Sequence, residues 1–226
     1  MELNKIYNID CMDFMKNMNN NSVNFTLTDI PYDEVSRPMG GICNLNLNLG
    51  DADNLKFDLE KFLEEVCRVT SNSICIFCGR EQYSDICKFF GNKKGTTRTI
   101  IYKKTNPVPS NGQYIYLNGI ELAVWFKKRG AKTFNAHCKN TVFEYPIFGG
   151  KNRIHPTQKH PKLFEELIAD NSNEGDIIFD PCAGGMTTAW AAHNLKRNFV
   201  CCELNKEFYD KGIKFLQDTI NYNKGD

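Results

Sequence analysis

Short apolar segments of strand length alternate with helical patterns along most of the 226-residue chain, and this alternation constrains the fold most strongly. Seven segments predict strands: residues 5–8, 23–28, 73–78, 98–103, 121–126, 176–179 and 198–202. Strands that alternate with helices form a mainly parallel sheet with helices on both faces. We therefore expect a doubly wound α/β fold, with the ligand site at the carboxyl ends of the strands.

Capping residues mark three of the intervening helices. Asp58 is predicted to be the N-cap of a helix that continues to residue 69. Pro161 suits the first turn of a helix that continues to residue 169, and Asn205 is predicted to cap a C-terminal helix. Residues 36–53, rich in Gly and Asn, do not fit the alternation and predict a long functional loop.

Composition excludes disordered, fibrous and membrane-spanning proteins. Hydrophobic residues make up 41% of the chain and charged residues 24%, which are ordinary values for a globular protein. No continuous apolar run is longer than that of residues 74–78, which is much shorter than the roughly 20 residues of a membrane-spanning helix. The N-terminus lacks the apolar core of a signal peptide, so we expect a cytoplasmic protein without membrane contact.

The ten cysteines are expected to be reduced thiols, because no export signal is present. Cys75 and Cys78 have the Cys-x-x-Cys spacing found in zinc and redox sites. However, they lie in a predicted strand, in which residues three apart point to opposite faces. No second Cys or His pair at metal-ligand spacing accompanies them, so we interpret both as structural and expect no metal site.

The net charge of +1 conceals a very uneven distribution of charge. Residues 86–164 contain fifteen basic residues and two acidic ones, so this segment carries +13 and the rest of the chain carries −12. Such a concentration of positive charge indicates an anionic partner for one part of the molecule.

The first motif that can carry chemistry is Thr28-Asp29-Ile30-Pro31-Tyr32, at the end of a predicted strand. Asp29 and the Ile30 carbonyl can accept the two hydrogens of an exocyclic amine, while Tyr32 stacks on the ring that bears it. Pro31 restricts Ile30 to extended backbone and so aims its carbonyl. The alternative is that Asp29 is a turn former and Tyr32 a partly buried aromatic residue.

The second motif is FDPCAGGMTT at residues 179–188, a predicted strand that continues into a glycine turn and a helix. Gly184 would allow a ligand to approach the backbone closely, and the start of the helix offers free N–H groups. Glu203 ends the next predicted strand, where a carboxylate can bind two ribose hydroxyls. This order of elements favours a nucleotide-like ligand.

Together these stretches resemble the β class of amino-methylating DNA methyltransferases, in which the catalytic motif precedes the cofactor motif. Residues 6–12 resemble the opening strand of that family, and residues 29–32 its catalytic Asp-Pro-Pro-Tyr. The HPTQK of residues 155–159, the DPCAGGMTT of residues 180–188 and the ELN of residues 203–205 match its further motifs. The resemblance covers nearly the whole chain. It implies a Rossmann-like, mostly parallel seven-stranded sheet in a single domain of residues 1–226.

The resemblance also implies the reaction, which is transfer of a methyl group from S-adenosylmethionine to adenine N6 in double-stranded DNA. The target base would be flipped out of the duplex, and no metal would be needed. Methylation of cytosine N4 is the alternative, although that subgroup more often has Ser where this chain has Asp29. A catalytically impaired relative that binds DNA or the cofactor is a further alternative, and a nicotinamide oxidoreductase is a weaker one.

The family's site residues carry over position by position. Asp29, Ile30, Pro31 and Tyr32 correspond to the catalytic tetrapeptide. Glu203 would bind the ribose, Asp10 and Cys11 the adenine side, and Thr157 with Lys159 the methionine carboxylate. The complete implied cofactor set is Asp10, Cys11, Asp29, Thr157, Lys159, Asp180, Cys182, Ala183, Gly184 and Glu203.

Three substitutions depart from the family pattern. Ile30 replaces a proline but retains the required carbonyl, and Cys182 replaces a phenylalanine that lies against the cofactor in the family. Met186 replaces the second glycine, where a positive φ would strain a methionine. Because Met186 should lie at the start of a helix, we expect ordinary helical geometry there and retained cofactor binding.

The interval that corresponds to the family's target-recognition region, residues 127–154, is short, basic and rich in aromatic residues. This composition suits phosphate contacts, although a solvated basic face over a small satellite core would share it. Its length favours a short target sequence or a homodimer in which a second subunit contributes contacts. The predicted DNA-binding residues are Lys127, Lys128, Arg129, Lys132, Lys139, Lys151 and Arg153.

Overall fold

The computed structural model describes residues 1–32, 55–109, 112–150 and 153–220 and contains a single eight-stranded sheet in these ranges. The strands are β1 (Lys5–Tyr7), β2 (Val23–Asp29), β3 (Thr70–Cys78), β4 (Gly95–Lys104), β5 (Ile120–Lys128), β6 (Val142–Tyr145), β7 (Ile177–Asp180) and β8 (Asn198–Cys202). The helices are α1 (Cys11–Lys16), α2 (Leu59–Val69), α3 (Arg80–Gly91), α4 (Pro161–Asn171), α5 (Thr187–Asn194) and α6 (Lys206–Ile220).

The strand order is β1-β8-β7-β2-β3-β5-β4-β6, and β5 alone of these strands runs antiparallel to its neighbours. The predicted Rossmann-like, mostly parallel sheet is confirmed. The expected count of seven strands omitted β6, which pairs with β4 in the basic interval. Only Phe143 is fully buried in this four-residue edge strand, so the sequence gives almost no alternation by which to recognise it.

Helices cover both faces of the sheet, as predicted. One hydrophobic core lies between the sheet and α4, α5 and α6, and the other lies between the sheet and α1, α2 and α3. Cys75 belongs to the first core and Cys78 to the second. The prediction that these two cysteines point to opposite faces is therefore confirmed.

The predicted helix starts agree with the structure. Asp58 accepts a hydrogen bond from the Lys61 amide at 3.1 Å, and Pro161 is the first residue of α4. Asn205 accepts hydrogen bonds from the amides of Glu207 and Phe208 at 2.9 and 3.2 Å. These caps satisfy amide groups that have no partner within the first turn of a helix.

The direction of the strands defines two edges of the sheet. We call the edge at which the parallel strands end the carboxyl edge, and the opposite one the amino edge. Because β5 runs in the opposite direction, it begins at the carboxyl edge and ends at the amino edge. Within the ranges given above, no helix is long and apolar enough to cross a membrane. The expected loop at residues 36–53 lies outside the described residues.

Candidate active site

A cavity at the carboxyl edge brings the three sequence motifs together. Asp29 and Tyr32 line it from the end of β2, Gly184 from the turn before α5, and Thr157 from the segment before α4. The predicted catalytic and cofactor residues that line the cavity are Asp10, Cys11, Asp29, Ile30, Pro31, Tyr32, Thr157, Lys159, Asp180, Cys182, Ala183, Gly184 and Glu203. Residues separated by up to about 190 positions in sequence thus share one cavity.

Asp29 is the last residue of β2, and both oxygens of its carboxylate have partners. The Tyr32 hydroxyl donates a hydrogen bond to Oδ1 at 2.7 Å, and Oδ2 forms an ion pair with the Lys159 ammonium. Burial raises the pKa of Asp29 above its usual value, and the charge of Lys159 partly offsets this effect. The Asp29 carboxylate is therefore oriented by protein groups alone.

Lys159 is almost completely buried and also pairs with Glu121, whose Oε2 lies 2.9 Å from its ammonium. Burial acts to lower the pKa of Lys159, but the two carboxylates outweigh burial and raise it. Burial likewise acts to raise the pKa of Glu121, but Lys159 and Lys104 lower it to about 2. The Lys159 ammonium is thus held between Asp29 and Glu121, and its predicted contact with the methionine carboxylate stays a prediction.

Glu121 is a site residue that the sequence analysis did not identify. It is the second residue of the antiparallel strand β5, at the carboxyl edge, where its Oε1 also pairs with Lys104 at 2.7 Å. The negative charge of Glu121 could have identified it in the sequence, because it is one of only two acidic residues in the +13 segment of residues 86–164.

Gln82 holds the backbone of the catalytic tetrapeptide in place. Its Nε2 donates a hydrogen bond to the Pro31 carbonyl at 2.7 Å, while its Oε1 accepts one from the Gly79 amide at 2.9 Å. The Ile30 amide donates to the Phe77 carbonyl at 3.2 Å, and the Ile30 side chain is buried in the core. The first turn of α3 therefore positions this segment, which a local sequence pattern does not reveal.

Asp180 stabilises the glycine turn rather than presenting an open carboxylate. Its two oxygens accept hydrogen bonds from the hydroxyls of Thr28 and Thr188, at 2.8 and 2.5 Å, and from the Cys182 amide at 3.0 Å. Burial raises the pKa of Asp180 to about 6. Asp180 thereby connects β2, β7 and α5, and it is buried where it lines the cavity.

Glu203 lies beside the glycine turn in the position predicted for a ribose ligand. Its two carboxylate oxygens accept hydrogen bonds from the amides of Gly184 and Asn205, at 2.8 and 2.7 Å. Gly184 has a φ of 45°, a conformation that favours glycine. Burial raises the pKa of Glu203. The turn and the acid are thus locked to each other at the cavity wall.

Met186 contradicts the sequence expectation of ordinary helical geometry. Its φ and ψ are 57° and 22°, which is the left-handed conformation, and it is the N-cap of α5. A tight turn causes this, since the Met186 amide donates to the Ala183 carbonyl at 2.8 Å just before the helix begins. The side chain is fully buried against Gly212 of α6. Such backbone strain costs about 1–2 kcal/mol, which side-chain burial can offset.

His155 and Gln158 join the segment before α4 to the glycine turn. The His155 ring packs edge-on against Phe208, with 4.3 Å between ring centroids, and its Nδ1 lies 3.1 Å from the Thr157 hydroxyl. Burial lowers the pKa of His155 to about 4. Gln158 donates to the Gly185 carbonyl at 3.1 Å. Neither His155 nor Gln158 is among the site residues predicted from the sequence.

The donor set fits a sulfonium cofactor that carries a nucleoside. Asp10 and Glu203 bring two carboxylates to the cavity, which suits hydroxyl and amino groups. The left-handed Gly184 leaves the turn without a side chain at the wall, so a ligand can approach its backbone. Asp10 also accepts the Met12 amide at 2.8 Å as the N-cap of α1, which orients its side chain.

The predicted DNA-binding residues are divided between the two edges. Lys127 and Lys128 end β5 at the amino edge, followed by Arg129 and Lys132. Lys128 is six positions along β5 from Leu122, which pairs with Cys78 at the carboxyl edge, and this is a span of about 20 Å. Their role in DNA binding stays a prediction, and it would concern DNA well beyond the cavity.

The remaining basic residues of that interval have different positions. Lys139 forms ion pairs with Glu166 and Asp170 of α4, at 2.7 and 2.6 Å. Arg153 lies next to the cavity and donates a hydrogen bond to the His155 carbonyl at 3.2 Å. Lys151 lies outside the described residues. Of the described residues in this set, Arg153 alone adjoins a residue that lines the cavity.

Curated relatives cover most of the chain. The type II methyltransferase M.HpaI of Haemophilus parainfluenzae is 29% identical over 92% of this chain and 72% of its own length. M.HinfI of Haemophilus influenzae is 26% identical over 96% of this chain and 69% of its own length. The DNA adenine methyltransferase YhdJ of Escherichia coli is 33% identical, but over 58% of this chain and 38% of its own length.

Solved structures share the fold. The M1.HpyAVI–SAM complex is 28% identical, with a TM-score of 0.73, and the match covers 94% of this chain and 98% of that one. The cytosine-N4-specific PvuII methyltransferase has a TM-score of 0.76 at 14% identity, which shows a common fold alone. Residues 23–214 match the family model described as DNA methylase. With its cavity motifs in the family's order, the chain belongs to the N6/N4 DNA methylase family, whose methyl donor is S-adenosylmethionine.

Proposed function

We propose that this protein transfers a methyl group to the exocyclic N6 of adenine in double-stranded DNA. The observation that carries this proposal is that the tetrapeptide of residues 29–32 lines the same cavity as Gly184 and Glu203. A base amine and a cofactor can therefore meet there. The curated relative YhdJ, which is 33% identical over the part that matches, is named as a DNA adenine methyltransferase. The cytosine-N4-specific PvuII enzyme is only 14% identical, so its likeness supports the fold and not the choice of base.

The residues of the cavity explain how an unreactive amine becomes a nucleophile. In adenine, the lone pair of N6 is delocalised into the ring. The Asp29 carboxylate and the Ile30 carbonyl would accept the two N6 hydrogens and so favour a tetrahedral nitrogen. A carboxylate can accept about four hydrogen bonds, and Tyr32 and Lys159 occupy only two of these positions on Asp29. When bound, S-adenosylmethionine would supply an activated methyl group.

Orientation of the base falls to the remaining tetrapeptide residues. Tyr32 would stack on the flipped base, and its hydroxyl is held by Asp29 and by Lys159, 3.1 Å away. Because the Gln82 amide fixes the Pro31 carbonyl, the Ile30 carbonyl has little freedom to turn away. Holding the reacting groups in this geometry accounts for much of the rate in such a transfer.

We assign the cofactor to the other side of the cavity. Glu203 would bind the ribose hydroxyls, Asp10 and Cys11 would contact the adenine, and the Cys182–Gly184 backbone would face the methionine portion. Thr157 would bind the methionine carboxylate. Lys159 would then act chiefly through Asp29, because its ammonium is already shared between two protein carboxylates.

The catalytic assignment is tested with the Asp29→Ala variant. We expect methylation of plasmid DNA to be abolished, while calorimetric titration with S-adenosylmethionine still shows binding through the opposite wall. Tyr32→Ala should also weaken methylation, because the ring proposed to stack on the base is lost. An Asp29→Ala protein that methylates DNA at the wild-type rate would refute the assignment.

Methylation of cytosine N4 is the second candidate, because it requires the same geometry around an exocyclic amine. Mass spectrometry of nucleosides from DNA treated with the protein separates the two reactions. We expect N6-methyladenine. N4-methylcytosine as the sole product would reverse the choice of base while leaving the methyltransferase assignment intact.

We further propose that residues 1–226 form a single methyltransferase domain that acts on DNA as a homodimer. The arrangement of every described strand in one sheet supports a single domain. The short interval of residues 127–154 supports a second subunit that adds DNA contacts. Light scattering after size-exclusion chromatography should give twice the chain mass of 25.9 kDa for the protein alone, and two chains plus one duplex for its complex with DNA. A monomer in both conditions would contradict the homodimer.

A further inference from the structure

The connection between β4 and β5 emerges at the same edge as the catalytic tetrapeptide. The sheet register places Ala123 of β5 opposite Phe77 of β3, and Phe77 opposite Asp29 of β2. Strand β4 ends with Lys104, and β5 begins with Ile120. Because β5 is antiparallel, the described part of the connection leaves the sheet beyond the row that contains Asp29, at the carboxyl edge where the cavity lies.

The described tip of this connection exposes three consecutive large side chains. Tyr114 is 80% exposed, Ile115 is 61% exposed and Tyr116 is fully exposed. Scattered apolar residues are normal on protein surfaces, but a contiguous group next to a functional cavity marks an interaction site. The Leu117 side chain differs, since it packs across the loop about 3.0 Å from where a Cβ on Gly112 would lie. The two tyrosines and Ile115 therefore form the exposed tip.

The stem of the loop is fixed and is linked to the catalytic carboxylate. The Lys104 amide donates to the Gly119 carbonyl at 2.8 Å, and the Thr105 amide donates to the Tyr145 carbonyl at 3.1 Å. From Lys104, ion pairs continue through Glu121 to Lys159 and Asp29. The stem from which the exposed tip extends therefore has a defined position relative to Asp29.

The chemistry of the tip suits the interior of a DNA duplex. Residues 105–120 contain no charged side chain, so no carboxylate repels the phosphates as the loop approaches. Tyrosine rings stack on bases, and apolar side chains are the usual wedges between base steps. Removal of a base from the duplex leaves unstacked neighbours that such side chains can cover.

We propose that Tyr114, Ile115 and Tyr116 form a wedge that enters the DNA duplex beside the target base and covers the bases left unstacked by flipping. This inference rests on the proposed function and extends it, because it assigns an element to base extrusion. It also assigns duplex contacts near the cavity to the β4–β5 connection, whereas the sequence analysis placed DNA contacts at residues 127–154.

The test compares duplex and single-stranded DNA, because a wedge is needed only where a base must leave a stack. The variant carries Tyr114→Ala, Ile115→Ala and Tyr116→Ala, and methylation of native and heat-denatured plasmid DNA is measured with radiolabelled S-adenosylmethionine. We expect the rate on duplex DNA to fall about tenfold or more and the rate on denatured DNA to change little. All three side chains are exposed, so the thermal unfolding midpoint should be unchanged.

Two control variants sharpen the test. Tyr114→Phe combined with Tyr116→Phe retains both rings and should retain the rate on duplex DNA. Leu3→Ala truncates another exposed apolar side chain, just before β1 and outside both the cavity and residues 127–154, and should have no effect. Equal rates for the triple variant and the wild type on duplex DNA would refute the wedge, as would an equal loss on both forms of DNA.

The outcomes also separate the wedge from the function on which it rests. A wild-type protein that methylates neither form of DNA would refute the proposed function, and the wedge with it. A wild-type protein that methylates duplex DNA, alongside an equally active triple variant, would refute the wedge alone. If that variant had also lost a self-associated state, the exposed tip would be an interface between copies of this chain instead.

Discussion

Lys159 carries a buried ammonium that two carboxylates share, and this arrangement controls the charge around Asp29. Burial of an ionised group is costly unless partners compensate for the lost hydration. Here Glu121 forms a second ion pair with the Lys159 ammonium, and Lys104 in turn forms an ion pair with Glu121. Asp29 is therefore not the sole counterion of Lys159, and under the proposed function it can still accept a hydrogen bond from a base amine.

This arrangement predicts that Glu121 affects turnover without touching the substrate. In the Glu121→Gln variant, Lys159 would pair with Asp29 alone and hold it more tightly. We expect methylation to slow about tenfold. The acid limb of the pH–rate profile should also move to lower pH, because Glu121 helps to raise the pKa of Asp29.

Glu144→Gln is the matched control. Glu144 is the other acidic residue of the +13 segment, and its pair with Lys103 is half-exposed, so its loss should leave the rate unchanged. Equal pH–rate profiles for Glu121→Gln and the wild type would contradict a positioning role for Glu121.

His155 provides a second prediction at this scale. Its pKa is lowered to about 4 in the folded protein, whereas an unfolded histidine titrates near 6.5. Between these values the unfolded chain binds a proton that the folded chain does not. The contribution of His155 to stability is therefore complete above about pH 6.5 and is lost as the pH falls towards 4.

NMR titration of the four histidines would test this directly. The His155 resonances, assigned by comparison with His155→Gln, should remain those of the neutral ring until about pH 4. Asp180 has the opposite effect on stability in an overlapping range, since its pKa is raised. The difference between wild type and His155→Gln isolates the histidine. A midpoint near 6.5 would contradict burial as the dominant influence.

At the scale of elements, the contact between the start of α5 and helix α6 depends on an unusual pair. Met186 accepts a left-handed backbone, and its side chain occupies the space that Gly212 leaves open. A Cβ placed on Gly212 would lie 2.4 Å from the Met186 Cγ. Because Met186 stands at a position that favours glycine, its side chain requires Gly212 on the facing helix α6.

We predict that Gly212→Ala lowers the free energy of unfolding by about 1–3 kcal/mol, because it overpacks this contact. Gly91→Ala, where no atom lies within 4 Å of the added methyl group, should change stability by less than about 1 kcal/mol. Chemical denaturation measures both. In the Met186→Ala/Gly212→Ala double variant, the two effects should be less than additive, since each change makes room for the other. Strict additivity would show that the residues do not pack together.

At the scale of the whole molecule, the charge map and the sheet topology give a prediction about DNA binding. Affinity for duplex DNA should fall steeply as salt rises, because bound phosphates release counterions. Lys127, Lys128 and Arg129 lie at the amino edge, about 20 Å along β5 from the cavity. If they contact DNA, they do so far from the reacting base.

Neutralising these three residues to Gln should therefore flatten the salt dependence of DNA binding but leave the rate at saturating DNA unchanged. Fluorescence anisotropy across a salt series measures the first quantity, and single-turnover methylation measures the second. An unchanged salt slope would remove these residues from the DNA interface. A reduced single-turnover rate would show that they act on the site as well.

The sequence by itself determined the mostly parallel fold, three helix starts and the order of the motifs around the cavity. These features depend on short-range causes: apolar periodicity, a side chain that caps its own helix, and a proline that restricts the preceding residue. Each can be recognised within a few positions of the chain, as at Asp58 and Asn205.

Only the tertiary structure decided the partners of Lys159, the backbone of Met186 and the edge at which each basic residue lies. Lys159 and Asp29 are 130 residues apart, so no local pattern links them. The left-handed backbone of Met186 depends on the turn that its amide closes with the Ala183 carbonyl, and its side chain needs the space beside Gly212. The reversed direction of β5 sends Glu121 to the catalytic carboxylate and Lys128 to the opposite edge. Strand direction arises from pairing between distant segments, and it is therefore a property of the assembled sheet.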